Sequence, residues 1–369
     1  MNLSPALSRN LFKILTFGFL WSMGGLIFTL LEYGVIGDLN YYPSTLVTYN
    51  VKNNIVATPV ISFFGGALLM ILDILIINKR VMRRSFLIRI SIKAVLFFVI
   101  ILSTTLLSAI IGTSITLGRG PFHAEVLDSL GKFFGNFAFW SIQIYAGFVT
   151  ILYLFIVEVS ESLGYKVFWN FFTGRYQKSK AEERIFLFLD LKNSTTIAEK
   201  LGHEKYFDFL NHFFDDIGSS ILDSWGSIYQ YVGDEVVIHW SKDKSLESLQ
   251  CFQGIQRSIE MNSNFYKNTY GVIPEFRGGI HGGLVAIGEI GSIKKDILYI
   301  GDVLNTTSRI QGLCKTFNTD LLISQFVVDQ IENEKLDGFK FVDQGTTELR
   351  GREKHIRIYT VEAINTLSD

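Results

Sequence analysis

Three groups of residues have the types and spacing to do chemistry. The first is a pair of acids. Asp190 closes the apolar run Arg184–Leu191 (R-I-F-L-F-L-D-L), and Asp234 follows Gly233 between two β-rich runs, Ser227–Val232 and Glu235–Trp240. A lone acid at a strand end is ordinarily a turn former or a helix cap. Two of them at the edges of one apolar sheet can converge on a divalent cation. Magnesium takes one or two carboxylates and completes its shell with water and substrate phosphates, so a pair is a sufficient protein contribution. The second group is Leu191-Lys192-Asn193-Ser194-Thr195. Backbone amides at a helix start can cradle a phosphate, and the stretch also reads as a plain capped helix start. The third group is Asn305 with Arg309. Four residues apart, they share one face of a helix. An amide and a guanidinium there suit a ribose and a phosphate; a solvated helix face is the plainer alternative.

These groups need a sheet and helices to hold them. Ser194 reads as an N-cap for a helix over Thr195–Leu201 that Gly202 closes, and His203–Trp225 has apolar residues at helical spacing. Gly233-Asp234 signals a hairpin between its two flanking strands. A helix is expected over Ser245–Asn268. Strand-like runs follow over Glu275–Gly283, Leu284–Ile290 and Ile297–Ile300, with a turn at Lys294-Lys295-Asp296. A helix over Val303–Thr316 precedes strands at Leu321–Ser324, Phe339–Gln344 and His355–Glu362, with a short helix near Gln325–Asn333. This order predicts an α+β sandwich with a mainly antiparallel sheet.

The first half of the 369-residue chain is of another kind. Mean hydropathy is +0.29 overall, and the apolar runs concentrate before Val159. A bilayer core takes roughly 20 apolar residues as helix, and four segments qualify: 11–36, 55–78, 88–117 and 136–158. No small-residue cleavage site follows the first, which reads as a retained helix rather than a signal peptide. Basic residues cluster at Arg9 and Lys13, at Lys79–Arg84, and at Lys166, Arg175, Lys178 and Lys180, so the positive-inside rule puts both ends and the middle loop in the cytosol. Asp73 lies about a turn from that side, within reach of a basic partner. The aromatic residues of the segments suit lipid-facing packing and leave room for a ligand of the membrane domain. Cys251 and Cys314 lack metal-ligand spacing and read as reduced core thiols. A net charge of −1 excludes the basic face of a nucleic-acid binder.

Five stretches in order carry a resemblance: F-L-F-L-D-L-K-N-S-T (186–195), Y-Q-Y-V-G-D-E (229–235), R-G-G-I-H-G-G (277–283), G-D-V-L-N-T-T-S-R (301–309) and T-E-L-R-G (347–351). From Glu183 to Ala363 the chain resembles the catalytic domain of the class III nucleotidyl cyclases. The resemblance implies a ferredoxin-like α+β fold for a catalytic domain at 184–364; the apolar segments before it read as a membrane domain at 1–159, with 160–183 as a coupling linker. It implies that Asp190, Leu191 and Asp234 hold two Mg²⁺ or Mn²⁺ ions, that Asn193, Ser194, Thr195 and Arg350 bind the triphosphate, that Asn305 orients the ribose and that Arg309 stabilises the reacting phosphate. The implied reaction is in-line attack of the ribose 3′-oxygen on the α-phosphorus with loss of pyrophosphate, aided by two metals. In the family the aspartates and the Asn/Arg pair come from different subunits, which implies a homodimer. The implied location is the cell (inner or plasma) membrane.

Base choice departs from the family pattern. The positions that usually carry lysine and aspartate or threonine in adenylyl cyclases hold Gln230 and Leu298 here. Glutamine carries a donor and an acceptor and suits the adenine edge, or guanine with its amide rotated. Leu298 can only pack, with Asp296 two residues away on the same strand face. The guanylyl pair, glutamate with cysteine, is absent as well. ATP is therefore the expected substrate, with a guanylyl or dual-specificity cyclase and a catalytically silent cyclase-like receptor as alternatives. Val232–Glu235 also resembles the hairpin of diguanylate cyclases, which lack the Asn/Arg helix at this spacing. Ser160–Glu183 has apolar residues at helical spacing, as for an amphipathic helix on the membrane surface or a coupling element that pairs in the dimer.

Overall fold

The computed structural model describes residues 4–37, 41, 50–77, 85–332, 339–348 and 355–363. Leu7–Phe172 form one compact unit, and Thr173–Asp369 make up the body of the other.

The second unit is built on one sheet. Its strands are β1 (Lys180–Leu191), β2 (Ser227–Val232), β3 (Glu235–Ser241), β4 (Phe276–Ile290), β5 (Asp296–Ile300), β6 (Leu321–Ser324), β7 (Phe339–Thr347) and β8 (Ile356–Ala363). They lie in the order β2-β3-β1-β4-β6-β8-β7, with β5 pairing β4. All pairs are antiparallel except β4 with β6, which fits the sandwich expected from sequence. β1 is paired on both edges, and the burial of all of Ile185–Leu189 shows that both its faces are covered, which is why its sequence is a continuous apolar run rather than an alternation.

One face of the sheet carries helices His203–Asp223, Ser245–Met261 and Gln325–Glu332. Phe209, Phe213 and Ile217 of the first and Leu249, Phe252 and Ile255 of the second meet Ile185, Leu187 and Ile238 of the sheet in the main core. Helix Asp302–Leu313 packs with strands β4, β6 and β8: Ile310 and, just past its end, Cys314 meet Leu322 and Ile358 in a separate cluster. Its close approach to β4 depends on glycine. A Cβ on Gly279 would lie 2.4 Å from the backbone nitrogen of Gln311, and one on Gly283 would lie 2.9 Å from Val303.

Several boundaries differ from the sequence expectation. Residues 276–290 form one long strand rather than two, because β1 pairs along most of it while β6 and then β5 share its other edge. The helix expected over 245–268 breaks at Asn262 (φ −93°, ψ 5°), and the second piece, Ser263–Tyr270, turns Tyr266 and Tyr270 against Phe209. The hydroxyl of Tyr266 donates to Asp216 at 2.6 Å. Both cysteines are free and buried, and burial pushes their thiols up to about 12.

In the first unit we number the helices α1 (Pro5–Ile36), α2 (Val51–Leu72), α3 (Phe86–Leu117), α4 (Ala124–Gly135), α5 (Phe137–Leu163) and α6 (Tyr165–Phe172). Among the described residues, four helices are long and apolar enough to cross a membrane: Pro5–Ile36, Val51–Leu75, Phe86–Ile115 and Phe139–Leu163. The short amphipathic α4 was not expected. Phe17, Leu69, Met70, Phe97, Ile101, Tyr153 and Leu154 form the core between them. At most 28% of the most apolar stretch of each helix is buried, so these helices turn most of their apolar surface outward.

Asp73 opens a π-helical turn, Asp73–Ile77, at the end of α2. It has the basic partner expected of it. Lys93, fully buried on α3, lies 3.3 Å from Asp73 and 2.8 Å from Glu158 of α5, and Arg89 lies 3.0 Å from Glu158. Lys13 of α1 pairs with Glu161 of α5. The basic stretch Lys79–Arg84 lies outside the described residues.

Candidate active site

Asp190 and Asp234 meet at one edge of the sheet. Asp190 stands near the end of β1, opposite Glu235 of β3 and Arg277 of β4. Asp234 sits in the β2–β3 turn after Gly233, whose φ of +64° is left-handed backbone that glycine adopts without strain. The two carboxyl groups are within hydrogen-bonding reach of each other.

Burial and then the Asp234 charge push Asp190 up to about 6, while Gln311 and Arg277 pull it back. Burial, Asp190 and Asp234 push Glu235 up to about 7. Carboxyl groups this close share a proton because both ionise together only at a cost. A divalent cation between them would remove that cost. Asp190 and Asp234 therefore suit such an ion, although no set of three or more acidic, histidine or cysteine side chains is arranged to hold a metal among the described residues. Leu191 is buried next to Asp190 and has only its backbone carbonyl to offer a metal.

The loop after Asp190 departs from expectation in its cap. The helix here, Ser194–Leu201, begins one residue early, with Asn193 at the cap position in left-handed backbone (φ 57°). Asparagine tolerates this conformation better than most residues. Ser194 hydrogen-bonds with Tyr206 of the next helix, and Tyr206 is raised by burial and then by the Asp234 charge. Tyr206 therefore feels both the loop and the charge of the acids. Thr195 is exposed at the start of the helix.

Helix Asp302–Leu313 points two ways. Gln311 donates from Nε2 to Asp190 Oδ2 at 3.4 Å. Val303, Thr306, Thr307 and Ile310 are buried. Asn305 is exposed and Arg309 half-buried, and neither side chain hydrogen-bonds or ion-pairs with another described residue. At about 100° per residue, Arg309 and Gln311 stand some 160° apart around the axis. The helix thus brings Gln311, not Asn305 or Arg309, to the Asp190 of its own chain.

Gln230 is exposed on β2 opposite Val237, and Leu298 is half-buried on β5 opposite Gly288. The rings of their neighbours Tyr229 and Tyr299 touch, with centroids 4.9 Å apart, and Tyr299 also hydrogen-bonds with His239 at 3.0 Å. Asp296, two residues before Leu298, is exposed and 3.1 Å from Lys294. Arg350 lies outside the described residues.

Sequence reasoning missed Gln311, Arg277, Glu235 and Tyr206. Glu235 adjoins Asp234 and was within sight. The other three reach the acids through strand register, helix flank and helix–helix packing, which leave no local signal.

The sequence profile described as the adenylate and guanylate cyclase catalytic domain matches residues 176–363. Adenylate cyclase 2 of Rhizobium meliloti (strain 1021) is 36% identical over 213 residues, which are 57% of this chain and 58% of that protein. Adenylate cyclase 1 of the same organism is 30% identical over 198 residues, 50% of this chain and 29% of that protein. Among solved structures, the adenylyl cyclase CyaB from P. aeruginosa aligns with a TM-score of 0.45 at 21% identity, over 50% of this chain and 96% of that one. The chain thus spans less than two thirds of either relative's length. With the family profile covering just over half of it, this chain belongs to the adenylate and guanylate cyclase catalytic domain family.

Proposed function

We propose that this protein is a membrane-anchored adenylyl cyclase that converts ATP to 3′,5′-cyclic AMP and pyrophosphate at sites shared by two copies of the chain. The observation that carries the proposal is the division of labour on helix Asp302–Leu313. Its Gln311 flank serves the Asp190–Asp234 pair of its own chain, while Asn305 and Arg309 stand on the opposite flank with no partner among the described residues. A second copy of the chain would supply the missing half of each site, and twofold symmetry would make two.

Asp190 and Asp234, with the Leu191 carbonyl, would hold Mg²⁺ or Mn²⁺. Divalent ions bound there supply charge neutralisation of the triphosphate and activation of the ribose hydroxyl. The protein's own residues do the rest. Asn193, Ser194 and Thr195 cradle the phosphates, with Arg350 as a further contact. The partner's Asn305 fixes the ribose so that its 3′-oxygen lies in line with the α-phosphorus. As the 3′-oxygen bonds to phosphorus and pyrophosphate departs, Arg309 faces the charge that develops. Donors of this kind are typically worth ~10²–10³ in rate.

Gln230 is assigned to the base edge with Leu298 packing beside it. The amide pairs with the N1 acceptor and N6 donor of adenine. Nothing at these two positions selects guanine, which favours ATP over the guanylyl or dual-specificity reading. A leucine in place of a polar partner weakens discrimination. The test is turnover of ATP against GTP by purified full-length protein with Mg²⁺ and with Mn²⁺. Cyclic AMP as the main product, lost in Asp234→Asn, is the expected result. Equal or greater cyclic GMP supports the dual reading, and no product with either nucleotide and either metal supports the silent one.

The first unit is assigned to the bilayer, as 1–159 with the linker 160–183 and the catalytic domain 184–364 in the cytosol. The outward apolar surface of its four long helices supports that placement, and the basic residues at their flanks support the orientation.

A further inference from the structure

Gln230 and Leu298, the residues assigned to the base, stand on strands with a single neighbour each. Among the described residues β2 pairs with β3 alone and β5 with β4 alone. β2 is also irregular. Its register with β3 shifts between Ile228 and Gln230, which leaves Tyr229 as the extra residue of a bulge. A bulge re-aims the side chains around it and leaves its extra residue outside the ladder. In a flat sheet β2 and β5 would lie four strand spacings apart, about 19 Å at ~4.8 Å each.

Instead the two strands touch through one ring. Tyr299 of β5 lies 4.9 Å, centroid to centroid, from Tyr229 of β2, 4.7 Å from His239 of β3 and 5.6 Å from Phe186 of β1. Its hydroxyl hydrogen-bonds with His239 Nε2 at 3.0 Å, and its backbone is within hydrogen-bonding reach of the Tyr229 hydroxyl. Phe186 and His239 are both buried, so Tyr299 rests on a fixed platform. The rings of Tyr229 and Tyr299 meet at 74°, the edge-to-face arrangement that aromatic pairs favour. Tyr229 immediately precedes Gln230, and Tyr299 immediately follows Leu298. The contact between the tyrosines therefore ties the two base-facing positions together one residue away from each. It sets a separation that pairing within the sheet leaves open.

Resting on the assignment of Gln230 and Leu298 to the base, we propose that Tyr229 is a positioning residue for base choice: seated on Tyr299, it fixes the bulge of β2 so that the Gln230 amide and Leu298 meet one base. Untied, the amide can present its donor or its acceptor from more than one place; tied, it meets the base from one. The tie matters in this chain because one of the two base positions is a leucine. The other carries all of their polar contact, and a misplaced amide forfeits the discrimination.

The test is displacement of a fluorescent methylanthraniloyl-ATP from full-length protein in micelles with Mn²⁺. The competitors are the α,β-methylene analogues of ATP and GTP, which cannot be cyclised, so binding is read without turnover. The unmodified protein should prefer the adenine analogue. Gln230→Ala should weaken that analogue about three- to tenfold, the worth of one hydrogen bond, and move the adenine-to-guanine ratio toward one. Tyr229→Ala should do the same, and Tyr229→Phe, which keeps its ring on Tyr299, should do so less. Combining Tyr229→Ala with Gln230→Ala should lose no more than the larger single change, because Tyr229 acts through Gln230. Equal weakening of both analogues that multiplies with the effect of Gln230→Ala would mean general damage and would overturn the proposal. So would an unmoved ratio in Tyr229→Ala; if that variant fails to fold, an unmoved ratio in Tyr229→Phe decides against it. A ratio near one in the unmodified protein, or one that Gln230→Ala leaves alone, would overturn the base assignment and this proposal with it. The expected ratios without any turnover of ATP would sink the cyclase reading alone.

Discussion

Asp190 holds its proton more tightly in the fold than an ordinary aspartate does, because burial and the neighbouring Asp234 both oppose its charge. The sign of the consequence is fixed. With its folded value near 6 and an unfolded value of about 4, this group's contribution to the stability of the metal-free protein is full below about pH 4 and is lost as pH rises toward 6. Metal binding needs the deprotonated pair, so affinity for Mn²⁺ should climb up to about tenfold per pH unit below 6 and level off above it. Urea unfolding and Mn²⁺ titration between pH 4 and 8 measure the two trends. Gln311→Ala removes a donor that lowers Asp190, so the rise in Mn²⁺ affinity should move to higher pH; an unmoved curve would mean the Gln311 contact is incidental. Arg309→Ala should lower kcat by ~10²–10³ while Mn²⁺ binding stays intact, since Arg309 stands away from its own chain's acids. Asp190 and Asp234 were legible in the sequence because each ends an apolar run. Gln311 was not, since only its flank on the helix separates it from Arg309.

At the scale of elements, the site depends on how closely helix Asp302–Leu313 approaches β4. Gly279→Ala would press a methyl group against the backbone of Gln311, where nothing can swing aside. Overpacking of this kind typically costs ~1–3 kcal/mol. A lower melting temperature together with a loss of activity is expected, read by scanning calorimetry and by product formation. In the first unit the ion network ties α2, α3 and α5 through Lys93. Lys93→Met would leave Asp73 buried without its Lys93 ion pair. Removing one partner from such a pair is typically destabilising by ~3–5 kcal/mol, and thermal unfolding in micelles would read it. The sequence carried the succession of strands and helices along the catalytic half and the four long apolar helices through their periodicity and length. It did not carry the break at Asn262 or the undivided β4. Both follow from tertiary contacts, the first from Tyr266 and Tyr270 packing on Phe209 and the second from β1 pairing along most of the strand.

At the scale of the whole molecule, the account rests on two copies of the chain completing each other. In the proposed dimer each copy would bring Asp190 and Asp234 to one site and Asn305 and Arg309 to the other. The family resemblance implies that sharing, and the two flanks of helix Asp302–Leu313 support it. Subunit mixing tests it most directly. Full-length Asp234→Asn and Arg309→Ala proteins, each nearly inactive alone, are co-expressed in equal amounts and their cyclic AMP production is measured. In half of the dimers both substitutions fall in the same site and the other site is intact, so activity should recover to about a quarter of the unmodified protein's. Activity that stays at the level of the single variants, with mixed dimers demonstrably present, would contradict the shared site.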